Sequence, residues 1–393
     1  MTRAPLFIAL LCSAGVVAAA DDATRQTELE DLGRALFFDV NLSLDRTQSC
    51  ATCHDPAQAF TDWRPLATGG DAHNQGNTPA PASLGGDMKS YGDRNAPTIS
   101  YAAAIPPFGR NADNDYVGGL FWDGRAATLE EQAGGPPLNP IEMGMPDSAS
   151  VIARLQENAN YQHAFKSLFG DDVFADTAKA WNGLQQSIAA LERTAFFSPY
   201  DSKYDRYLRG EYKPTEQEEL GITLFFSNQF TNCNKCHQLQ QLPEAQQETF
   251  SNYTYQNIGV PVNAALRAAN GKGSDYIDHG LLEHPAVDDA AQDGKFRVPT
   301  LRNVAITAPY MHNGVFNELR TVMQFYNKYL QKGSKAQINP ETGENWGPPE
   351  VATTIASDKL EAGRALDARS IDALLAFMNM LTDKRYEPLL KTE

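Results

Sequence analysis

The sequence predicts a mainly α-helical protein built as two similar halves, with long loops and little strand. Two observations carry that expectation. Six segments, 28–38, 148–168, 175–196, 214–227, 317–331 and 356–382, repeat apolar residues at helical spacing, and no segment alternates convincingly as a half-buried strand would. A weak internal repeat also runs through the chain in one order. Leu32-Gly33-Arg34-Ala35-Leu36-Phe37-Phe38 is echoed by Leu220-Gly221-Ile222-Thr223-Leu224-Phe225-Phe226. Ala96-Pro97-Thr98-Ile99 is echoed by Val298-Pro299-Thr300-Leu301, and Asp123-Gly124 with Leu129 by Asn313-Gly314 with Leu319. The shared order suggests a duplicated domain in which the Leu and Phe residues of each first helix wall an apolar pocket.

At 393 residues the chain is long enough for two domains with separate cores. The junction is expected near 200–214, where Ser198-Pro199 and Lys213-Pro214 break helices. That gives an N-terminal domain of 21–210 and a C-terminal domain of 211–393. Residues 1–20 read as a signal peptide: Arg3, an apolar run from Pro5 to Val17, then Ala18-Ala19-Ala20 before Asp21. The run is short for a membrane span, and Cys12 follows Leu11 rather than the small residue a lipoprotein signal needs. Cleavage into the periplasm, with no membrane span left, is therefore expected. The Gly, Pro and Asn-rich loops 64–95 and 105–120 are long enough to imply function or an organising cofactor.

A formal net charge of −16 argues against nucleic acid, which selects clustered Lys and Arg. It suits either plain solubility or the steering of a basic protein partner.

Removal of Cys12 leaves Cys50, Cys53, Cys233 and Cys236. Four cysteines in an oxidising compartment would ordinarily suggest two disulfides. Here each pair is C-x-x-C followed at once by histidine: Cys50-Ala51-Thr52-Cys53-His54 and Cys233-Asn234-Lys235-Cys236-His237. This is the haem c attachment pattern. Two thiols add across the two vinyl groups of one porphyrin, and the adjacent imidazole lies under the iron as its proximal ligand. A zinc site needs four N or S ligands, and each motif offers three. The fold expectation is thus two cytochrome c-like domains, each with one covalent haem. Of the other histidines, His163, His279, His284 and His312 read as surface or packing residues, and His73, in a Gly/Asn-rich loop, could reach an iron.

Further segments resemble one family, the bacterial di-haem cytochrome c peroxidases and their MauG-type relatives. They are Arg94-Asn95-Ala96-Pro97-Thr98, Phe121-Trp122-Asp123-Gly124-Arg125, Asn139-Pro140-Ile141-Glu142-Met143-Gly144-Met145-Pro146, Val298-Pro299-Thr300-Leu301-Arg302-Asn303 and Thr307-Ala308-Pro309-Tyr310. The resemblance implies that peroxide reacts at the first haem, with Glu142 on its open face and Gln132 and Pro136 lining that face. A carboxylate there can move a proton from the oxygen that binds iron to the oxygen that leaves, and burial would raise its pKa usefully. The resemblance further implies that Trp122 relays electrons between the haems and that Arg302 contacts a cofactor. It implies, too, a calcium ion held between the halves by Asn95 with the carbonyls of Thr307 and Pro309, oxygen donors that suit a hard cation.

Two departures matter. Peroxidases of the family place a methionine as second ligand of the electron-transfer haem, whereas this chain reads Val322-Met323-Gln324-Phe325-Tyr326-Asn327, similar to the MauG version. Tyr326 shares a helical face with Leu319, Val322 and Met323. As an anionic oxygen ligand it would stabilise ferric iron and lower the potential; Met323 is the rival, Tyr329 a weaker one. Many family members also block the resting first iron with a histidine eight residues before the Asn95 position, where this chain has Asp87. The first haem is therefore expected to be open, with His73 the alternative ligand.

Taken together, the resemblance implies a periplasmic oxidoreductase that reduces hydrogen peroxide at the first haem. Electrons would come through the second haem from a small c-type cytochrome or a cupredoxin. A MauG-like enzyme that uses high-valent haem to oxidise residues of a partner protein is the neighbouring alternative. A di-haem electron carrier without catalysis is the alternative of another class.

Overall fold

The computed structural model describes residues 13–65, 79–239 and 248–390. Among these the helices are α1 (Ser13–Phe37), α2 (Cys50–Cys53), α3 (Leu129–Ala133), α4 (Gly135–Leu138), α5 (Ser148–Gln156), α6 (Ala159–Phe169), α7 (Thr177–Glu192), α8 (Lys203–Leu208), α9 (Glu216–Phe225), α10 (Ala264–Asn270), α11 (Leu319–Leu330), α12 (Ser357–Leu360) and α13 (Ala368–Met380). Strand is confined to two short antiparallel pairs, β1 (Gly109–Arg110) with β2 (Tyr116–Val117), and β3 (Tyr255–Gln256) with β4 (Phe296–Arg297). The expected mainly helical character holds.

Local chemistry explains the helix ends. The Asp176 carboxylate accepts from the backbone N–H groups of Ala178 and Lys179 at the start of α7. Thr215 and Glu218 cap each other's backbone at the start of α9. Each such cap is worth about 1 kcal/mol. Two expected helices are broken, again by caps. Asn158 accepts from the N–H of Asn160 and so begins α6 anew after α5. Within 356–382, Gly363 takes φ +145° and Asp367 then caps α13. The short α8 and α10 were not expected, because six or seven residues are too few for a period to register.

Two cores result. In the first, α1 lays Leu29, Leu32 and Leu36 against α5, α6 and α7. In the second, Leu224 and Phe225 of α9 pack with α11 and α13. Burial of each Leu or Phe contributes roughly 1.5–3 kcal/mol. Both leading helices cross their partner at a glycine. A methyl group on Gly33 would fall 2.0 Å from the Ser187 carbonyl oxygen, and one on Gly221 would fall 2.0 Å from that of Ala373. The glycines of the repeated Leu-Gly pair therefore let the backbones touch.

Within the stretch 200–214, α8 packs with the second half. Tyr204 of α8 is already part of the second core, and Asp205 pairs with Arg302 at 2.5 Å. The halves also interlock: Tyr101 donates to Asp383, which Asn303 Nδ2 holds from within the second half at 2.8 Å, and Tyr386 donates to the Pro56 carbonyl at 2.8 Å. Of the expected signal peptide, residues 1–12 lie outside the described residues, and α1 runs through the Ala20–Asp21 junction. Among the described residues no helix is long and apolar enough to cross a membrane.

Candidate active site

Each C-x-x-C-H motif closes one wall of a cavity. In the first half, α2 is a single turn whose His54 N–H returns to the Cys50 carbonyl at 3.0 Å. The His54 Nδ1 lies 3.1 Å from the carbonyl oxygen of Phe60. A carbonyl can only accept, so that nitrogen carries the proton and Nε2 keeps its lone pair. His237 repeats this with the Phe250 carbonyl at 2.9 Å. Phe60 and Phe250 both hold left-handed backbone, φ +58° and +56°, a strained geometry for an aromatic residue. Burial holds both imidazoles neutral, His237 down to about 4.

Cys50, Cys53, Cys233 and Cys236 are free rather than joined in disulfides. The cavity of about 460 Å³ at Cys50, Cys53 and His54 and that of about 230 Å³ at Cys233, Cys236 and His237 are mainly apolar. Paired thiols, a neutral imidazole with a spare lone pair and an apolar slot fit a covalently bound haem in each half.

Glu142, Gln132 and Pro136 all line the first cavity, as expected. The Glu142 loop folds back on α4, with Met143 N–H on the Pro136 carbonyl at 3.3 Å and Gly144 N–H on that of Asn139 at 2.9 Å. Asn139 Nδ2 donates to Glu142 Oε1 at 2.8 Å. On the far side, Gly86 N–H donates to the Glu142 carbonyl at 2.6 Å. Burial raises the Glu142 carboxyl above its ordinary range, with Arg125 and Asn139 opposing in part.

Tyr326 lines the second cavity, and burial raises its phenol. Among the described residues its hydroxyl has no hydrogen-bond partner. Tyr329, by contrast, spends its hydroxyl on the Ile258 carbonyl at 2.9 Å. Met323 lines the same cavity as Tyr326.

Trp122 and Arg297 line both of these cavities and a third, of about 100 Å³, between the halves. Trp122 Nε1 donates to the Asn95 carbonyl at 2.8 Å. Asn95, Thr307 and Pro309 meet in the third cavity, so the structure brings the expected calcium residues together.

Residues 27–213 match the family model described as di-haem cytochrome c peroxidase. The methylamine utilization protein MauG of Paracoccus denitrificans is 51% identical over 372 residues, 95% of this chain and 92% of that one. The chain belongs to the di-haem cytochrome c peroxidase and MauG family. The cytochrome c551 peroxidase of Nitrosomonas europaea is 30% identical over 319 residues, covering 78% of this chain and 77% of that one. The crystal structure of the diheme peroxidase BthA from Burkholderia thailandensis superposes with a TM-score of 0.79 at 30% identity, covering 93% of this chain and 88% of that one.

Membership of the di-haem peroxidase and MauG family makes this chain an oxidoreductase with two c-type haems. Other expectations fare differently. Arg302 is not among the residues lining either haem cavity. Its guanidinium is consumed by Asp205 at 2.5 and 2.9 Å, Ser202 at 3.2 Å and the Glu248 carbonyl at 2.7 Å, so its place in the motif reflects a buried pair joining α8 to the second core. Asp87, at the position the family resemblance compares with a histidine, turns back on Lys89 and Ser90, while its loop braces Glu142 through Gly86. His73 lies outside the described residues. His163 is exposed, His279 pairs with Asp293 at 2.7 Å near the surface, and His284 packs on Phe108. His312 is buried, stacked 3.6 Å from Phe296, and lines the second cavity with Nε2 unpartnered.

Sequence reasoning missed two groups. Arg297 is a buried cation without a carboxylate partner among the described residues. Glu192, at the end of α7, lines the first cavity with Oε2 buried and unpartnered. Neither carried a signal: Arg297 lies in a strand too short for alternation to register, and Glu192 beside Arg193 reads as an exposed helix end.

Proposed function

We propose that this protein reduces hydrogen peroxide in the first cavity, using electrons that enter through the second from a small redox protein such as a c-type cytochrome or a cupredoxin. The observation that carries the reading is the position of Glu142, a buried carboxyl lining the same cavity as Cys50, Cys53, His54, Gln132 and Pro136. The overall reaction takes one peroxide, two electrons and two protons to two waters.

Haem, when bound, supplies the electrons that reduce the O–O bond and is replenished from the redox partner. The chain's own residues manage the protons. Glu142 as carboxylate takes the proton from one peroxide oxygen and returns it to the other, which leaves as water. Asn139 fixes one carboxylate oxygen and Gly86 fixes the backbone, so the proton moves between set points. Gln132 and Pro136 narrow the space above the reacting atoms and limit bulk water. Trp122, shared by the cavities, is the route we assign to electrons. The third cavity, with neutral oxygen donors from Asn95, Thr307 and Pro309, is assigned to calcium. The matched glycine crossings support a duplicated domain, and the Ala18-Ala19-Ala20 stretch supports export to the periplasm.

A second reading is favoured by Tyr326. A phenolate ligand stabilises ferric and higher states, which suits an enzyme that withdraws electrons from residues of a partner protein, as the MauG resemblance implies.

Glu142→Gln tests both readings. With haem content intact, the variant is expected to lose the optical response of the resting ferric protein to peroxide by a factor of roughly 100 or more in rate. A wild-type rate in the variant overturns them and leaves a two-haem electron carrier. Turnover with reduced cytochrome c as donor separates peroxidase from protein oxidation.

A further inference from the structure

The first cavity holds a second buried acid that the proton shuttle of Glu142 does not use. Glu192 closes α7 with its side chain inward, 3% exposed, and its Oε2 has no hydrogen-bond partner. It lines the same cavity as Cys50, Gln132 and Glu142, one turn beyond Ile188. Leu191, the residue before Glu192, packs in one cluster with Cys50 and Ala51, which brings this end of α7 to that cysteine.

Three ordinary explanations do not account for it. A structural acid would find an ion pair, but the adjacent Arg193 turns outward to Glu130 at 2.7 Å. On α1, which packs along α7, Asp31 and Arg34 face solvent. Holding a haem propionate is excluded by porphyrin geometry, since the vinyl groups that cysteines capture lie on the edge opposite the propionates. A carboxylate would in any case repel them. Helix capping needs an anion at the N-terminal end of a helix, and Glu192 stands at the C-terminal end.

We propose that Glu192 is the proton-delivering group of the first cavity, holding a proton there for the second water of the reaction. This rests on the reading that peroxide reacts in that cavity. Both protons of hydrogen peroxide leave with the first water once Glu142 has moved one of them across. The remaining oxygen needs two electrons, from the one-electron redox partner, and two protons from elsewhere. At each electron's arrival the O–H bond of the Glu192 carboxylic acid breaks and an O–H bond forms on that oxygen. Glu192 is left as carboxylate and is reprotonated from solvent before the next step. The acid is well suited to this. Burial, with Glu130 adding and Arg193 opposing, lifts it to about 8, so it is protonated at neutral pH yet can give the proton up. The other charged residues lining the cavity are Glu142, Arg125, Asp93, Arg94, Asp123, Glu283 and Arg297, and of these Arg94 is bonded to Asp123 and Glu283. Glu142 and Glu192 thus divide the work, Glu142 moving a proton within peroxide and Glu192 importing, one after the other, the two that the second water needs.

The test uses the haem-loaded protein and infrared difference spectroscopy alongside turnover. In the wild type a buried carboxylic acid C=O band is expected to vanish as pH rises through about 8. The band is expected to be absent from Glu192→Gln. Peroxide turnover should fall with the same midpoint in the wild type. In Glu192→Gln it should be slower by roughly 100-fold and lose that limb, with Glu192→Asp recovering part of the rate. No titrating band in the wild type, or a Glu192→Gln pH profile equal to the wild type's, overturns the proposal. Should Glu192→Gln not fold, the wild-type band and the Glu192→Asp profile decide alone. A resting wild-type spectrum that peroxide does not perturb would instead defeat the reading of the cavity itself.

Discussion

The backbone N–H of Arg297 donates to the carbonyl oxygen of Trp122 at 2.9 Å, and the side chains of both residues border all three internal cavities. Arg297 belongs to β4 and Trp122 to the loop after β2, so one backbone contact joins the two halves where an electron would cross. The indole is fixed from its other end by Asn95.

Trp122→Phe should therefore slow electron exchange between the haems while leaving both haem spectra intact. Loss of the indole hydrogen bond is expected to cost about 1 kcal/mol of stability. Rapid-mixing reduction should resolve two separate phases in the variant where the wild type reduces as one. Single-phase reduction at the wild-type rate would count against the relay.

Tyr326→Met is expected to raise the potential of the second haem, because a neutral thioether favours ferric iron less than a phenolate does. The shift should be on the order of 0.1 V, within the ≈0.8 V that axial ligands can span. A spectroelectrochemical titration measures it. No upward shift would pass the ligand role to Met323, which lines the same cavity.

Acid should destabilise the protein through Asp278. Burial works to raise this carboxyl, but Arg94, bonded at 2.6 Å to each oxygen, outweighs it and holds it at about 2. A depressed folded-state pKa means the stabilisation is complete above about 4 and drains away as pH falls toward 2, in all about 2 kcal/mol. Asp278→Asn should flatten that part of the stability curve, as followed by chemical denaturation at graded pH.

Arg302 and Asp205 form a buried pair, with side chains 0% and 6% exposed. Removing one member strands a charge, so Arg302→Ala should cost roughly 3–5 kcal/mol. Replacing both by apolar residues of similar volume should cost far less. Thermal melts of the single and double variants provide the comparison.

Much of this site could be read before the fold was known, for a specific reason. Haem attachment needs cysteine, cysteine and histidine within five consecutive positions, so Cys50, Cys53, His54 and their second copy are local signals. Tyr326 was legible because helical spacing set it on the face of Leu319 and Met323. Glu192 was not, since whether an acid at a helix end faces water depends on α3 and α2, which fold against α7 from distant sequence. Arg302 shows the converse: its motif is local, but the partner that fixes its guanidinium, Asp205, lies 97 residues away. The broken helices at Asn158 and Gly363 show the limit of periodicity, which continues smoothly through a cap that ends one helix and starts the next.

The contacts made by Asp383, Arg385 and Tyr386 carry a further consequence. These residues follow α13 of the second core, yet reach Tyr101, Phe196 and Pro56 of the first, the last only two positions beyond His54. The strap thus fastens the segment just beyond His54 to the helix that closes the second core, so a disturbance at the C-terminal end is expected to reach both halves rather than one.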